Sequence, residues 1–229
     1  MIETVIFDFG DTLATLNPSK EEIVYEFLAS KGLNLSLENI KYAYRVVDYY
    51  YKQSALKLIK SNDKKDFLIK INYELLKVIG LSLKSELWSA ELYEYFKSKK
   101  RWELFSEVIP VLKRLNEVGY KTAILANWDR RLKDIVKDMA IEKYFSHILC
   151  SEEISIEKPD PEIFLYLLKV MALNSEKAIY VGNEYETDVI GARDAGVIPV
   201  LIDRNNFWPY ADCLRFESLI GLSEYLKRI

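Results

Sequence analysis

The chain has 229 residues, half of them hydrophobic, with a formal charge of −3 and a pI near 5.5. That size holds one large domain or a core with a smaller insert. Lys and Arg are mixed with Asp and Glu and form no long basic tract, which argues against a dedicated nucleic-acid binder.

The two cysteines, Cys150 and Cys213, suit neither a disulfide framework nor a zinc site. No apolar run approaches the length of a membrane span. Acidic residues at Glu3 and Asp8 interrupt the N-terminus, so no signal peptide is expected and a soluble, cytoplasmic protein is the default. The chain is rich in Lys, Glu, Ile and Tyr and has a single His (His147) and a single Gln (Gln53), a mix that points to a thermophilic source.

The first element is the apolar run Val5-Ile6-Phe7, which ends in Asp8 and passes at once into the turn Phe9-Gly10-Asp11-Thr12-Leu13. A buried parallel strand delivers a carboxylate to the rim of a sheet in this way, and ligands bind at that rim in open α/β folds. Residues 19–98 then read as four helices, at 21–31, 36–60, 64–79 and 83–98. Apolar positions recur at helical spacing, as in Ile23, Val24, Phe27 and Leu28. Gly32, Gly80 and the cluster Ser61-Asn62-Asp63 are expected stops. The second helix is laden with tyrosine: Tyr42, Tyr44, Tyr49, Tyr50 and Tyr51.

From residue 103 helix and strand alternate. Helices are predicted at 107–118, 130–139, 161–171, 187–195 and 219–227, and strands at Lys121–Ala126, His147–Cys150, 178–181 and 197–202. Short continuous apolar strands between helices mark a parallel sheet covered on both faces. The first strand is not stable alone and must join this sheet. The expected organisation is an α/β core formed by 1–15 and 100–229, with an all-helical insertion at 16–99. Residues 15–100 carry a net +4 and the remainder −7. A mildly basic insert over an acidic core suits an anionic substrate, although solvated helix faces explain the same pattern.

Four loops carry the candidate chemistry. Asp8 can attack an electrophilic phosphorus or carbon, or simply stabilise a turn. Ala126-Asn127-Trp128-Asp129 precedes a helix whose backbone N–H groups suit anionic oxygens, with Asp129 read as an N-cap. Lys158 lies in Glu157-Lys158-Pro159-Asp160-Pro161, where Pro159 biases it to extended geometry and Pro161 starts the next helix; a fixed ammonium beside Asp8 keeps that carboxylate ionised and neutralises transferred charge. The stretch 180–196 runs strand, glycine turn, acidic loop and helix. Its Glu184 and Asp188 are candidate oxygen ligands for Mg²⁺, or merely complement a helix N-terminus. Gly191, Ala192 and Gly196 suit close packing of that helix on the sheet.

These four stretches, in this order, resemble the haloacid dehalogenase superfamily, in the form that carries a helical cap after the first motif. The stretches 7–13, 151–164 and 181–196 are the most specific. The resemblance implies a modified Rossmann core with the site in a cleft between core and cap, and Asp8 as nucleophile. In the family's phosphatases the nucleophile, the backbone carbonyl two residues on (Gly10 here) and fourth-motif acids hold Mg²⁺. The second-motif Ser/Thr position and the third-motif lysine, Lys158 here, bind the phosphoryl group.

Three positions depart from the pattern. Phosphatases of the family usually read DxDxT, the second Asp protonating the leaving group and then activating water; that position is Gly10, and Asp11 stands in only if the turn redirects it. General acid–base help is typically worth about 10²–10⁴-fold. The second-motif Ser/Thr is Ala126, which leaves the backbone around Asn127 to position the phosphoryl group. The first fourth-motif acid is Asn183, which ligates a cation without bringing charge.

The favoured expectation is a Mg²⁺-dependent phosphatase acting on a small phosphate ester through a phosphoaspartate at Asp8. A non-catalytic binding protein on the same fold comes second, and a metal-free 2-haloacid dehalogenase third. Such dehalogenases lack the second Asp too, but they normally keep the second-motif Ser and an aromatic at position 10. Arg45 and the cap tyrosines are candidate substrate contacts, a monomer or homodimer is expected, and His147 is read as structural.

Overall fold

The computed structural model describes residues 2–56, 64–99 and 101–228. By its contacts the chain divides into two compact units, one formed by residues 1–15 and 102–229 and the other by residues 16–101.

The first unit is an α/β layer structure. Its elements begin with β1 (Thr4–Phe7) and β2 (Ala14–Leu16). The second unit follows with α1 (Lys20–Ser30), α2 (Leu37–Leu56), α3 (Lys64–Val78) and α4 (Ser82–Lys99). The chain then resumes the first unit with β3 (Trp102–Leu104), α5 (Val108–Glu117), β4 (Lys121–Ala126), α6 (Arg131–Asp138) and β5 (His147–Cys150). After these come α7 (Ser151–Ile154), α8 (Pro161–Val170), β6 (Ala178–Gly182), α9 (Ile190–Asp194), β7 (Ile198–Ile202), β8 (Leu214–Phe216) and α10 (Leu219–Leu226).

Six strands form a parallel sheet in the order β5-β4-β1-β6-β7-β8, and β2 pairs with β3 in a separate two-stranded sheet. Side chains alternate across a strand with a period of two, and the packing follows that rule. Val5, Phe7, Ile124 and Val181 face one core with residues of α5, α6 and α10, while Ile6, Ala123, Leu125 and Tyr180 face the other with α8 and Ala192 of α9. Because both faces are covered, the strands read as unbroken apolar runs. β4 and β5 occupy the predicted residues, and the core helices lie within a few residues of theirs.

Three short strands go beyond the sequence expectation. β2 and β3 lie where the chain leaves and re-enters the first unit, and β8 extends the sheet at its edge. The predicted end of the second helix, 57–60, and the Ser61-Asn62-Asp63 stop lie outside the described residues. In the helical unit a capping box starts α1, with Ser19 Oγ accepting from the Glu22 N–H and Glu22 accepting from the Ser19 N–H. Val24, Phe27, Leu28, Tyr44, Leu75, Leu76 and Leu92 pack together as its core. Tyr42 and Tyr50 are exposed.

Candidate active site

The four loops converge because the strands that launch them are neighbours in the sheet. Asp8 is the first residue past β1, and its N–H donates to the Val181 carbonyl of β6 at 2.8 Å. Lys158, from the loop before α8, places its ammonium 2.7 Å from Asp8 Oδ1, 2.7 Å from Asp188 Oδ1 and 2.6 Å from the Tyr180 hydroxyl. These four residues are 8% (Asp8), 3% (Lys158), 1% (Tyr180) and 2% (Asp188) exposed. The Tyr180 hydroxyl donates to the Leu125 carbonyl at 2.8 Å and accepts from the ammonium, which also lies 5.2 Å from the ring centroid.

Backbone geometry holds the cluster together. Asp188 sits in a wide π-type turn, Tyr185–Val189, a local form that recurs at functional sites. Its Oδ2 accepts from the Glu184 N–H at 2.9 Å. A β-carbon at Gly182 would lie 2.2 Å from Asp188 Oδ2, so glycine at the end of β6 is what lets the carboxylate cross the strand. Asn127 clamps the lysine's main chain: its Nδ2 donates to the Lys158 carbonyl at 2.9 Å and its Oδ1 accepts from the Lys158 N–H at 2.7 Å. Thr12 Oγ1 donates to Asn183 Oδ1 at 3.3 Å and so ties the first loop to the fourth.

One ammonium faces two buried carboxylates. Burial raises the Asp8 carboxyl from its ordinary 3.8 to about 7, with Lys158 opposing and Asp188 adding to the rise. Burial alone would lower the Lys158 ammonium, but Asp188 and Asp8 outweigh it and hold it above its ordinary value. Burial and the same carboxylates push the Tyr180 phenol well above its ordinary range, so it remains a neutral hydroxyl.

Asp8, Lys158 and Asp188 are thus brought together, but Asp11 does not join them. It adopts a left-handed backbone, φ 55°, and its exposed carboxylate accepts from Thr15 Oγ1 at 2.9 Å, so the turn does not redirect it into the cluster. Glu184 meets the cluster through its backbone N–H. Ala126 is fully buried in the core. At the start of α6 the Arg130 N–H donates to Glu152 and the Arg131 N–H to Asp129, so those two groups are engaged by acids of the chain rather than left for an anion. Gly191 packs on Pro159 and Phe164 rather than on the sheet. His147 is the first residue of β5, paired in register with Ala123.

Gly10 is walled by aromatic rings. A β-carbon there would lie 3.4 Å from Trp128 and 3.7 Å from Trp102, ordinary van der Waals contacts. Trp102 and Trp128 pack at 4.8 Å between centroids, and Phe9 packs against both.

Tyr180 and the clamping role of Asn127 are not apparent from the sequence. Tyr180 lies in an apolar strand, two residues before Gly182, and only its hydroxyl bonds to Lys158 and Leu125 set it apart from a packing aromatic. The partner of Asn127 is 31 positions away and leaves no local trace.

The donor set suits Mg²⁺. Among the described residues no group of three or more His, Cys, Asp or Glu side chains gathers as a metal cage. Mg²⁺ does not require one, because it commonly takes one or two carboxylates and keeps several waters. With Asp8 ionised, two buried carboxylates against one ammonium leave one negative charge that a cation would balance.

Three comparisons bear on this arrangement. A glyceraldehyde 3-phosphate phosphatase from Methanopyrus kandleri is 29% identical over 217 residues, covering 90% of this chain and 86% of that protein. A HAD phosphatase structure from Thermococcus onnurineus aligns over 98% of both chains with a TM-score of 0.61 at 23% identity. A magnesium-bound HAD-hydrolase structure from Bacillus subtilis aligns over 99% of both chains with a TM-score of 0.74 at 18% identity, which shows a shared fold. The model of the haloacid dehalogenase-like hydrolases matches residues 2–196. With the sheet order and the converging loops, that match places the chain in the haloacid dehalogenase-like hydrolase family.

Proposed function

We propose that the protein is a phosphatase acting on a small phosphate ester, with Asp8 as nucleophile. The observation that carries this reading is the buried Lys158 ammonium shared by Asp8 and Asp188 at the carboxyl edge of the sheet. The phosphatase-named relative over most of the chain supports the same class.

In this reading Asp8 Oδ attacks phosphorus and forms an aspartyl phosphate, and water then releases inorganic phosphate and restores the carboxylate. Lys158 keeps Asp8 oriented and offsets the charge that gathers on the phosphoryl oxygens. Asn127 fixes the main chain of Lys158, and the backbone of residues 126–127 borders the phosphoryl group. Asp8, the Gly10 carbonyl, Asn183 and Asp188 or Glu184 would hold Mg²⁺, which when bound supplies positive charge against the dianionic substrate.

The test is phosphate release from an aryl phosphate with and without a chelator, together with acid-quench trapping of phosphorylated protein. Turnover is expected to need Mg²⁺ and to fall by at least about 10³-fold in Asp8→Asn, which removes the covalent route. Halide release from a 2-haloacid that persists in chelator, with no phosphate release, would overturn the assignment.

A further inference from the structure

The turn that carries Asp8 offers no second carboxyl to the reacting atoms. Position 10 is glycine and carries no side chain, and its α-carbon faces the rings of Trp128 and Trp102. Asp11 is held outward by its left-handed backbone and by Thr15. Within the cluster the proton-bearing groups are already engaged. The three N–H bonds of the Lys158 ammonium meet Asp8, Tyr180 and Asp188, and the Tyr180 hydroxyl donates to Leu125. Both oxygens of Asp188 accept hydrogen bonds, one from Lys158 and one from the Glu184 N–H.

We propose that this chain selects phosphates whose leaving oxygen departs as an anion, those of carboxylic, phenolic or enolic hydroxyls, over esters of simple alcohols. The inference rests on the phosphatase reading above and narrows its substrate class. Asp8 Oδ forms the new bond to phosphorus while the bond from phosphorus to the leaving oxygen breaks. The leaving oxygen keeps the electron pair and takes its proton from bulk water afterwards. An acidic hydroxyl leaves this way readily, whereas an alkoxide needs a proton delivered in the transition state, help worth about 10²–10⁴-fold. The second step lacks the same help: water attacks the aspartyl phosphate, gives up its proton to solvent, and releases phosphate and the Asp8 carboxylate. With a good leaving group the phosphoenzyme therefore forms faster than it breaks down.

The experiment compares kcat/KM for aryl phosphates of graded phenol acidity with that for alkyl phosphates, at one saturating Mg²⁺ concentration. The expected result is a steady fall as leaving-group pKa rises, with alkyl esters at least about 10³-fold below the most acidic phenol. Rapid-quench measurement on that phenol should show a burst approaching one equivalent per active site. Alkyl esters within about tenfold of the aryl series would overturn the inference and leave the phosphatase reading standing. A loss in Asp11→Asn that grows with leaving-group pKa would also overturn it, since that pattern marks a proton donor. No turnover of any ester, with Asp8→Asn indistinguishable from the parent, would sink both.

Discussion

Lys158 is one cation shared among three oxygens, and the site depends on that sharing. Lys158→Met would leave Asp8 and Asp188 buried without a counter-charge, and breaking a buried pair in this way costs about 3–5 kcal/mol. Tyr180→Phe is the milder change. It strands the Leu125 carbonyl and one N–H of the ammonium, for a loss of about 1–3 kcal/mol. Urea denaturation of the two variants is expected to rank them in that order, with activity retained better in Tyr180→Phe. Equal losses would show that the hydroxyl matters as much as the charge. Asp8 and Lys158 could be singled out from the sequence because a carboxylate after an apolar run and a lysine directly before a proline are local signals. Tyr180 could not, because a phenol in a buried strand reads as packing until its hydroxyl is seen between Lys158 and Leu125.

Segments of the core differ in how plainly the sequence shows them. β4 and β5 are built on the short apolar runs 123–126 and 148–150, and each begins at the polar residues just before its run. β8 is a half-buried edge strand of three residues with Arg215 at its centre, so neither length nor hydrophobicity marks it. The helix predicted at 187–195 is a π-type turn followed by the short α9, because Asp188 must turn back over Gly182 to reach Lys158. Behind α9, Gly191 makes close contact with the loop that carries the lysine. A β-carbon there would lie 2.7 Å from the Phe164 ring and 2.9 Å from the Pro159 carbonyl. Gly191→Ala is therefore expected to destabilise the protein by about 1–3 kcal/mol through overpacking. It should also lower kcat by moving the residue next to Lys158. Wild-type kcat in a destabilised variant would show that the strain is absorbed on the α8 side.

For the molecule as a whole, the buried Asp8 couples stability to pH. Its carboxyl is raised from 3.8 to about 7, so between those values the folded protein binds more protons than the unfolded chain. Stability contributed by this group is fully present below about pH 4 and is lost as the pH climbs through about 7. In chelator, the urea midpoint of the wild type is expected to fall across that window relative to Asp8→Asn, which lacks the titration. A difference between the two proteins that does not change with pH would sink the prediction.

The order of the strands also bears on how the chain is made. β1 lies in the middle of the sheet, between β4 and β6, yet it is synthesised before the other five strands of that sheet. Its partners are residues 121–124 and 178–181, and the whole helical unit is synthesised in between. During that interval Thr4–Phe7 is an apolar strand with both edges unpaired, the kind of segment that recruits other chains. The helical unit has its own core and is contiguous in sequence, so it can form while the Asp8 strand waits. Closing the sheet is then the long-range, slow event, and the same event assembles Asp8 with Lys158 and Asp188. A nascent chain brings Asp8, Lys158 and Asp188 together only when the sheet closes around β1.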